Sequence, residues 1–231
     1  LWMAENLRTS RYADGTEIAN VTDDAAWEGL STGAWAHYDN DSANEAVYGK
    51  LYNWYAVADV AGLCPTGWRV PTDEEWTQLS DYLGGESVAG GKMKATGTEY
   101  WTAPNEGATN ESGFNALPGG FRNANGSFYG QGYDALFWSS SENSSVSAWY
   151  RSLFGGNSEL FRGYDGKRVG FSVRCLQGEL MDSGNIIIDG DFSADTLSDA
   201  WSPLRLEQGV DATFSVVDGE LNITDITGTD G

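Results

Sequence analysis

Cysteine, histidine and basic residues are scarce in this chain of 231 residues, which holds two Cys, one His and 13 Lys plus Arg against 34 Asp plus Glu. A lone His37, with Cys64 and Cys175 far apart and no third Cys, excludes a zinc site of clustered Cys and His. The net charge of −21 excludes a phosphate-gripping surface, so no nucleic acid partner is expected. No run of 18 apolar residues occurs, so no membrane insertion is expected of this fragment. The chain opens on "LWMAENL" without an initiator Met and reads as a piece whose targeting segment has been lost.

What is present is apolar and aromatic: 40% hydrophobic, 13% aromatic, with ten Trp, ample for a core. The stretch "GWRVPTDEEW" ends an apolar run at Val70, and Pro71 stops the strand by removing a ladder donor. Thr72 and Glu75 then form a capping box, and Trp76, Leu79 and Leu83 follow at helical spacing until Gly84-Gly85. Leu51, Trp54, Tyr55 and Ala58 predict a second helix in "GKLYNWYAVADV". Beyond Gly84, dense punctuation ("GGK", "PNEG", "PGG", "FGG") predicts short strands and long ordered loops. Residues 1–178 read as an α+β domain with two short helices, 179–184 as a linker and 185–231 as the start of a truncated β-sandwich. In that last piece ten acidic residues stand against one Arg, and Asp218-Gly219 between two β-rich runs signals a hairpin.

Catalytic constellations are sparse. His37 has no second His near it, Ser139, Ser140 and Ser141 have no general base, and Glu74-Glu75 suits a charged helix start. Asp39, Asp41, Asn44 and Glu45 cluster in "YDNDSANEAVYG" as hard oxygen ligands that suit Ca²⁺, the rival reading being an Asx-rich turn. No other cofactor is expected. The two cysteines read either as buried free thiols or as one long-range disulfide.

Seven blocks spread in order over residues 1–178 carry a resemblance: "WMAENLRTSRYADG", "YGKLYNWYAV", "LCPTGWRVPTDEEW", "GGKMKATG", "GATNESGFNALPGGFR", "FWSSSE" and "GFSVRC". They resemble the Fibrobacter succinogenes major paralogous domain family, which looks like a branch of the formylglycine-generating enzymes. The resemblance implies a C-type lectin-type fold, a twisted antiparallel sheet with two flanking helices and much irregular loop. It also implies a disulfide between Cys64 and Cys175. Closing so long a loop constrains the unfolded chain by about 4–5 kcal/mol on the entropic account. The enzymes of that group need a thiolate pair late in the domain, and residues 134–166 hold no cysteine. The piece after 185 resembles the start of a jelly-roll carbohydrate-binding module through "NIIIDGDFS", Trp201 and "FSVVDGELNITDITGTDG".

These readings lead to a non-catalytic extracellular or cell-surface bacterial protein that binds polysaccharide. A surface adhesin that holds another protein is the alternative, and a modifying enzyme the more distant one. Trp2, Trp54, Trp68 and Trp76 are expected in the core. The expected ligand residues are Trp101, Trp138, Glu142, Asn143, Trp149, Tyr150, Arg151, Asn157, Arg162 and Tyr164. For Trp138 a core role stays equally open. Most of them lie in the late region that forms the ligand surface of C-type lectin folds.

Overall fold

The computed structural model describes residues 1–178, 210–217 and 220–228. The chain divides into two compact units, Leu1–Leu180 and Met181–Gly231.

In chain order the first unit begins with β1 (Ala19–Asn20), α1 (Asp24–Glu28), β2 (Ala34–Ala36), α2 (Glu45–Tyr48), β3 (Leu51–Asn53) and α3 (Trp54–Val57). Then come β4 (Trp68–Arg69), α4 (Asp73–Tyr82) and α5 (Glu86–Met93). It ends with β5 (Gly119–Arg122), β6 (Phe128–Gln131), β7 (Asp134–Ser144), β8 (Ser147–Phe154), β9 (Leu160–Gly166), β10 (Gly170–Phe171) and β11 (Leu176–Gln177). Nine of these strands form one sheet in the order β1-β2-β3-β10-β5-β7-β8-β9, with β6 beside β5. This is a mixed α+β unit with a sheet core and few, short helices. The sheet is mainly antiparallel, but β1–β2 and β5–β7 pair in parallel.

The helix expected after Thr72 forms, with the reciprocal capping box of Thr72 and Glu75 in place. The helix expected in "GKLYNWYAVADV" is only partly helical. Leu51–Asn53 is a strand, and the helix starts at Trp54 because the Asn53 side chain accepts from Ala56 N and fills the N-cap. Helix α5 was not expected, since "SVAGGKM" carries two helix-weakening glycines. Their small size is what the packing needs: a Cβ on Gly90 would stand 2.0 Å from the Glu159 carbonyl oxygen, and one on Gly91 2.4 Å from that of Gly107. The polar stretch "SSSENSSVSA", lying where long loops were expected, belongs to strands. It is the end and turn of the β7–β8 hairpin, with Ser144 paired to Ser147.

Alternation along β7 and β8 divides two cores across the sheet. Ala135, Phe137, Leu153 and Leu160 pack under α4 and α5 with Trp76, Met93, Trp101 and Phe114. Leu136, Trp138 and Ala148 face the other way, onto Tyr52, Trp54, Phe171 and Cys64–Cys175. Each fully buried Phe or Leu there contributes about 1.5–3 kcal/mol relative to exposure. Trp54 and Trp76 lie in these cores as expected, while Trp2 and Trp68 are half-buried at their margins. The two ends of the unit meet: Trp2 bridges Leu176, Met3 N donates to the Cys175 carbonyl at 3.0 Å, and β11 pairs with β4.

In the second unit, Val210–Val217 (β12) and Glu220–Gly228 (β13) pair antiparallel from Val217↔Glu220, the hairpin register expected around Asp218-Gly219. Asp218, Gly219, Trp201 and the linker 179–184 lie outside the described residues.

Candidate functional site

The start of α4 and the β8–β9 hairpin build one surface together. Asp73, the first residue of α4, projects its carboxylate between two guanidinium groups: Arg151 donates to Oδ1 and Arg162 to Oδ2 at 2.7 Å. Burial raises the Asp73 pKa, but the hydrogen bonds and charges of Arg162 and Arg151 outweigh it and hold the carboxyl below its ordinary value. Arg151 is fully buried and also donates to the Asp73 carbonyl and Thr77 Oγ1. Arg162 is its direct cross-strand partner and stays partly exposed. Pinned by Asp73, the Arg162 guanidinium lies 3.6 Å from the Trp149 ring centroid, a cation–π contact on one ring face.

Tyr164 stands opposite Trp149 in the β8–β9 register, its ring edge-on to the indole at 5.6 Å and 85°. It is 61% exposed, and Trp149 is half-buried. The outcome is an aromatic pair with an oriented guanidinium, fixed on two strands and tied to a helix. Such a surface offers apolar ring faces and N–H donors in fixed positions, which suits a hydroxyl-rich ligand with C–H faces. Cys64 and Cys175 are joined in a disulfide with Cα atoms 6.1 Å apart, so neither supplies a free thiol.

The family model described as the Fibrobacter succinogenes major domain matches residues 1–177. The chain belongs to this family. Neither the comparison with curated proteins nor that with solved structures found a match.

Within the Fibrobacter succinogenes major domain, the expected ligand residues do not form one site. Trp149, Arg162 and Tyr164 come together as described. Trp101 and Trp138 are corrected to core residues: their indole N–H groups donate to the Ala116 and Tyr52 carbonyls at 3.0 and 2.9 Å, and both rings are sealed from the surface. The loop carrying Trp101 is locked by buried Lys94, whose ammonium donates to the Glu106, Phe154 and Asn157 carbonyls. Burial pushes the Lys94 pKa down to about 8. Arg151 is likewise removed from ligand contact, because its buried guanidinium is spent on Asp73 and Thr77. Tyr150 falls on the opposite face of β8 from Trp149, since neighbours on a strand point to opposite sides. Asn157 accepts from Glu159 N, Asn143 donates to Ser147 Oγ and Glu142 pairs with Lys167, so their polar contacts are made with residues other than Trp149, Arg162 and Tyr164.

At the stretch read as a calcium candidate or an Asx-rich turn, the structure shows the Asx turn. Asp41 Oδ1 caps Ala43 N, Asn44 donates to the Tyr38 carbonyl and accepts from Gln131, and Glu45 pairs with Lys50 and His37. Asp39 sits at φ 54° in the turn. Asp41, Asn44 and Glu45 are thus engaged within the fold, and no group of three or more His, Cys, Asp or Glu among the described residues is placed to hold a metal ion. Sequence reasoning missed Asp73, singling out only its neighbours Glu74 and Glu75 as a charged helix start. The alternation in "AWYRSLF" and "LFRGYDG" was the signal that sorts the strand residues by face.

Proposed function

We propose that this chain is a non-catalytic polysaccharide-binding protein of the bacterial cell surface or exterior. Its first unit is a C-type lectin-like scaffold of the formylglycine-generating-enzyme type, used without that group's thiol chemistry. The single observation that carries the binding role is the Trp149–Arg162–Tyr164 face. Two further features support the reading. Both cysteines are consumed in a structural bridge, and the two longest helices flank one face of a loop-rich, mainly antiparallel sheet. The net charge of −21 favours neutral over anionic polymers.

A glycan array followed by affinity electrophoresis of the intact chain tests the role. We expect retardation in at least one polysaccharide gel and a loss of at least about tenfold in affinity, near 1.4 kcal/mol, for Trp149→Ala. Tyr164→Ala should weaken it less. A protein that no plant, algal or microbial glycan retards would not have this function.

A further inference from the structure

The guanidinium of Arg162 is only partly used. Its Nε and Nη2 atoms form a fork on the Asp73 carboxylate, Nε standing 3.1 Å from both oxygens and Nη2 2.7 Å from Oδ2. A guanidinium carries five N–H groups in one plane. Among the described residues, the two on Nη1 and the second on Nη2 have no protein acceptor. The Nη1–Nη2 edge therefore holds two unspent N–H groups side by side. Asp73 fixes the opposite edge, and the Trp149 ring, 3.6 Å away, supports one flat side. The side chain keeps 37% exposure. The free edge is a preformed bidentate donor at the surface.

Its surroundings are short of acceptors. Trp149 adds an indole N–H and Tyr164 one hydroxyl. Asp73, the carboxylate in contact, already accepts on both oxygens. A sugar hydroxyl both donates and accepts, whereas a carboxylate only accepts, and its two oxygens match two parallel N–H groups. Charge points the same way. In contact, two guanidiniums share one carboxylate, and Glu86 at the start of α5 adds a more distant negative charge that pairs with neither. A long polyanion meets the acidity of the whole molecule, net −21. A single carboxylate on Arg162 is governed instead by charges within the screening distance, about 8 Å in physiological salt. An isolated acid on a neutral chain suits this surface, and a run of acids does not. Tyr164 lies two residues from Arg162 on the same strand face, roughly 7 Å along it. A sugar ring resting on that exposed phenol can set a ring substituent on the fork.

We propose that Arg162 receives the carboxylate of an isolated uronic acid carried by an otherwise neutral polysaccharide. The inference rests on the polysaccharide-binding reading above and adds to it the ligand class of the same site.

Affinity electrophoresis of the intact chain in three gels tests it: glucuronoxylan, the same polymer with its carboxyl groups reduced to alcohols, and polygalacturonate. Near-ultraviolet circular dichroism confirms that the variant is folded. The wild-type chain should be retarded at least about threefold more strongly by glucuronoxylan than by the reduced polymer. Arg162→Lys keeps the charge and loses the fork, and should remove that difference. Free glucuronic acid should compete, and a glutamate-rich peptide should not. Equal retardation of the wild-type chain, or none, in the native and reduced polymers overturns the uronate assignment, as does a difference that survives in Arg162→Lys. Stronger retardation by polygalacturonate than by glucuronoxylan overturns the isolated charge. Competition by the peptide as strong as by glucuronic acid overturns a sugar as the source of the carboxylate. Only a blank across the whole glycan array removes the broader function.

Discussion

Asp73 joins three parts of the molecule through one carboxylate: the positive start of α4, the buried Arg151 and the Arg162 that covers Trp149. Asp73→Asn keeps the shape but removes the charge that compensates a buried guanidinium. A loss of about 3 kcal/mol in denaturant unfolding is expected. The pH dependence has a definite sign. A carboxyl held below its unfolded value contributes stability above that value, about 3.9, and loses it as the pH falls through the folded one. The gap between wild type and Asp73→Asn should therefore close in acid, and a gap that stays constant from neutral pH to pH 2 would contradict the ion-pair account. At this scale the sequence was legible only in part. Trp149, Arg162 and Tyr164 were singled out by their types and neighbourhood, and the structure brings these three together. Trp101 and Trp138 resembled them in composition, but a residue's type does not tell which carbonyl its indole will reach, and Ala116 and Tyr52 supply those acceptors from distant segments.

Helix α4 was legible because its signals are local: a proline stop, a capping pair and a helical apolar spacing within a dozen residues. Thr72→Ala should cost about 1 kcal/mol, since it frees the Glu75 amide from its acceptor. Helix α5 was illegible because its glycines answer to a long-range constraint. Gly91→Ala would improve helix propensity by about 1 kcal/mol in isolation, yet it should destabilise this protein, because the added methyl meets the Gly107 carbonyl. A thermal melt decides the sign: a higher midpoint for Gly91→Ala would show that the contact yields. The β7–β8 hairpin was hidden for a related reason. Its serines are common in loops, and only the pairing with β8 and the buried neighbours Trp138 and Ala148 make them strand residues. Once the hairpin is recognised, alternation sorts Trp149 and Tyr150 to opposite faces, which a loop reading could not do.

Over the whole molecule, the mixed α+β class and the family were readable because ordered motif blocks cover residues 1–177. The strand order was not, since β10 inserts between β3 and β5 through contacts far apart in sequence. Reduction of Cys64–Cys175 should lower stability by about 4 kcal/mol on the entropic account. Denaturant titration with and without a reductant measures it, and an unchanged midpoint would mean that the bridge adds nothing to the fold. The bridge also has a mechanical meaning. Residues 1 and 177 lie side by side, and the bond between Cys64 and Cys175 spans 111 positions of chain. A domain of this kind, pulled by those ends, can pay out only the segment outside the covalent loop. Cutting the bridge would release roughly 370 Å more of contour length, at about 3.3 Å for each freed residue.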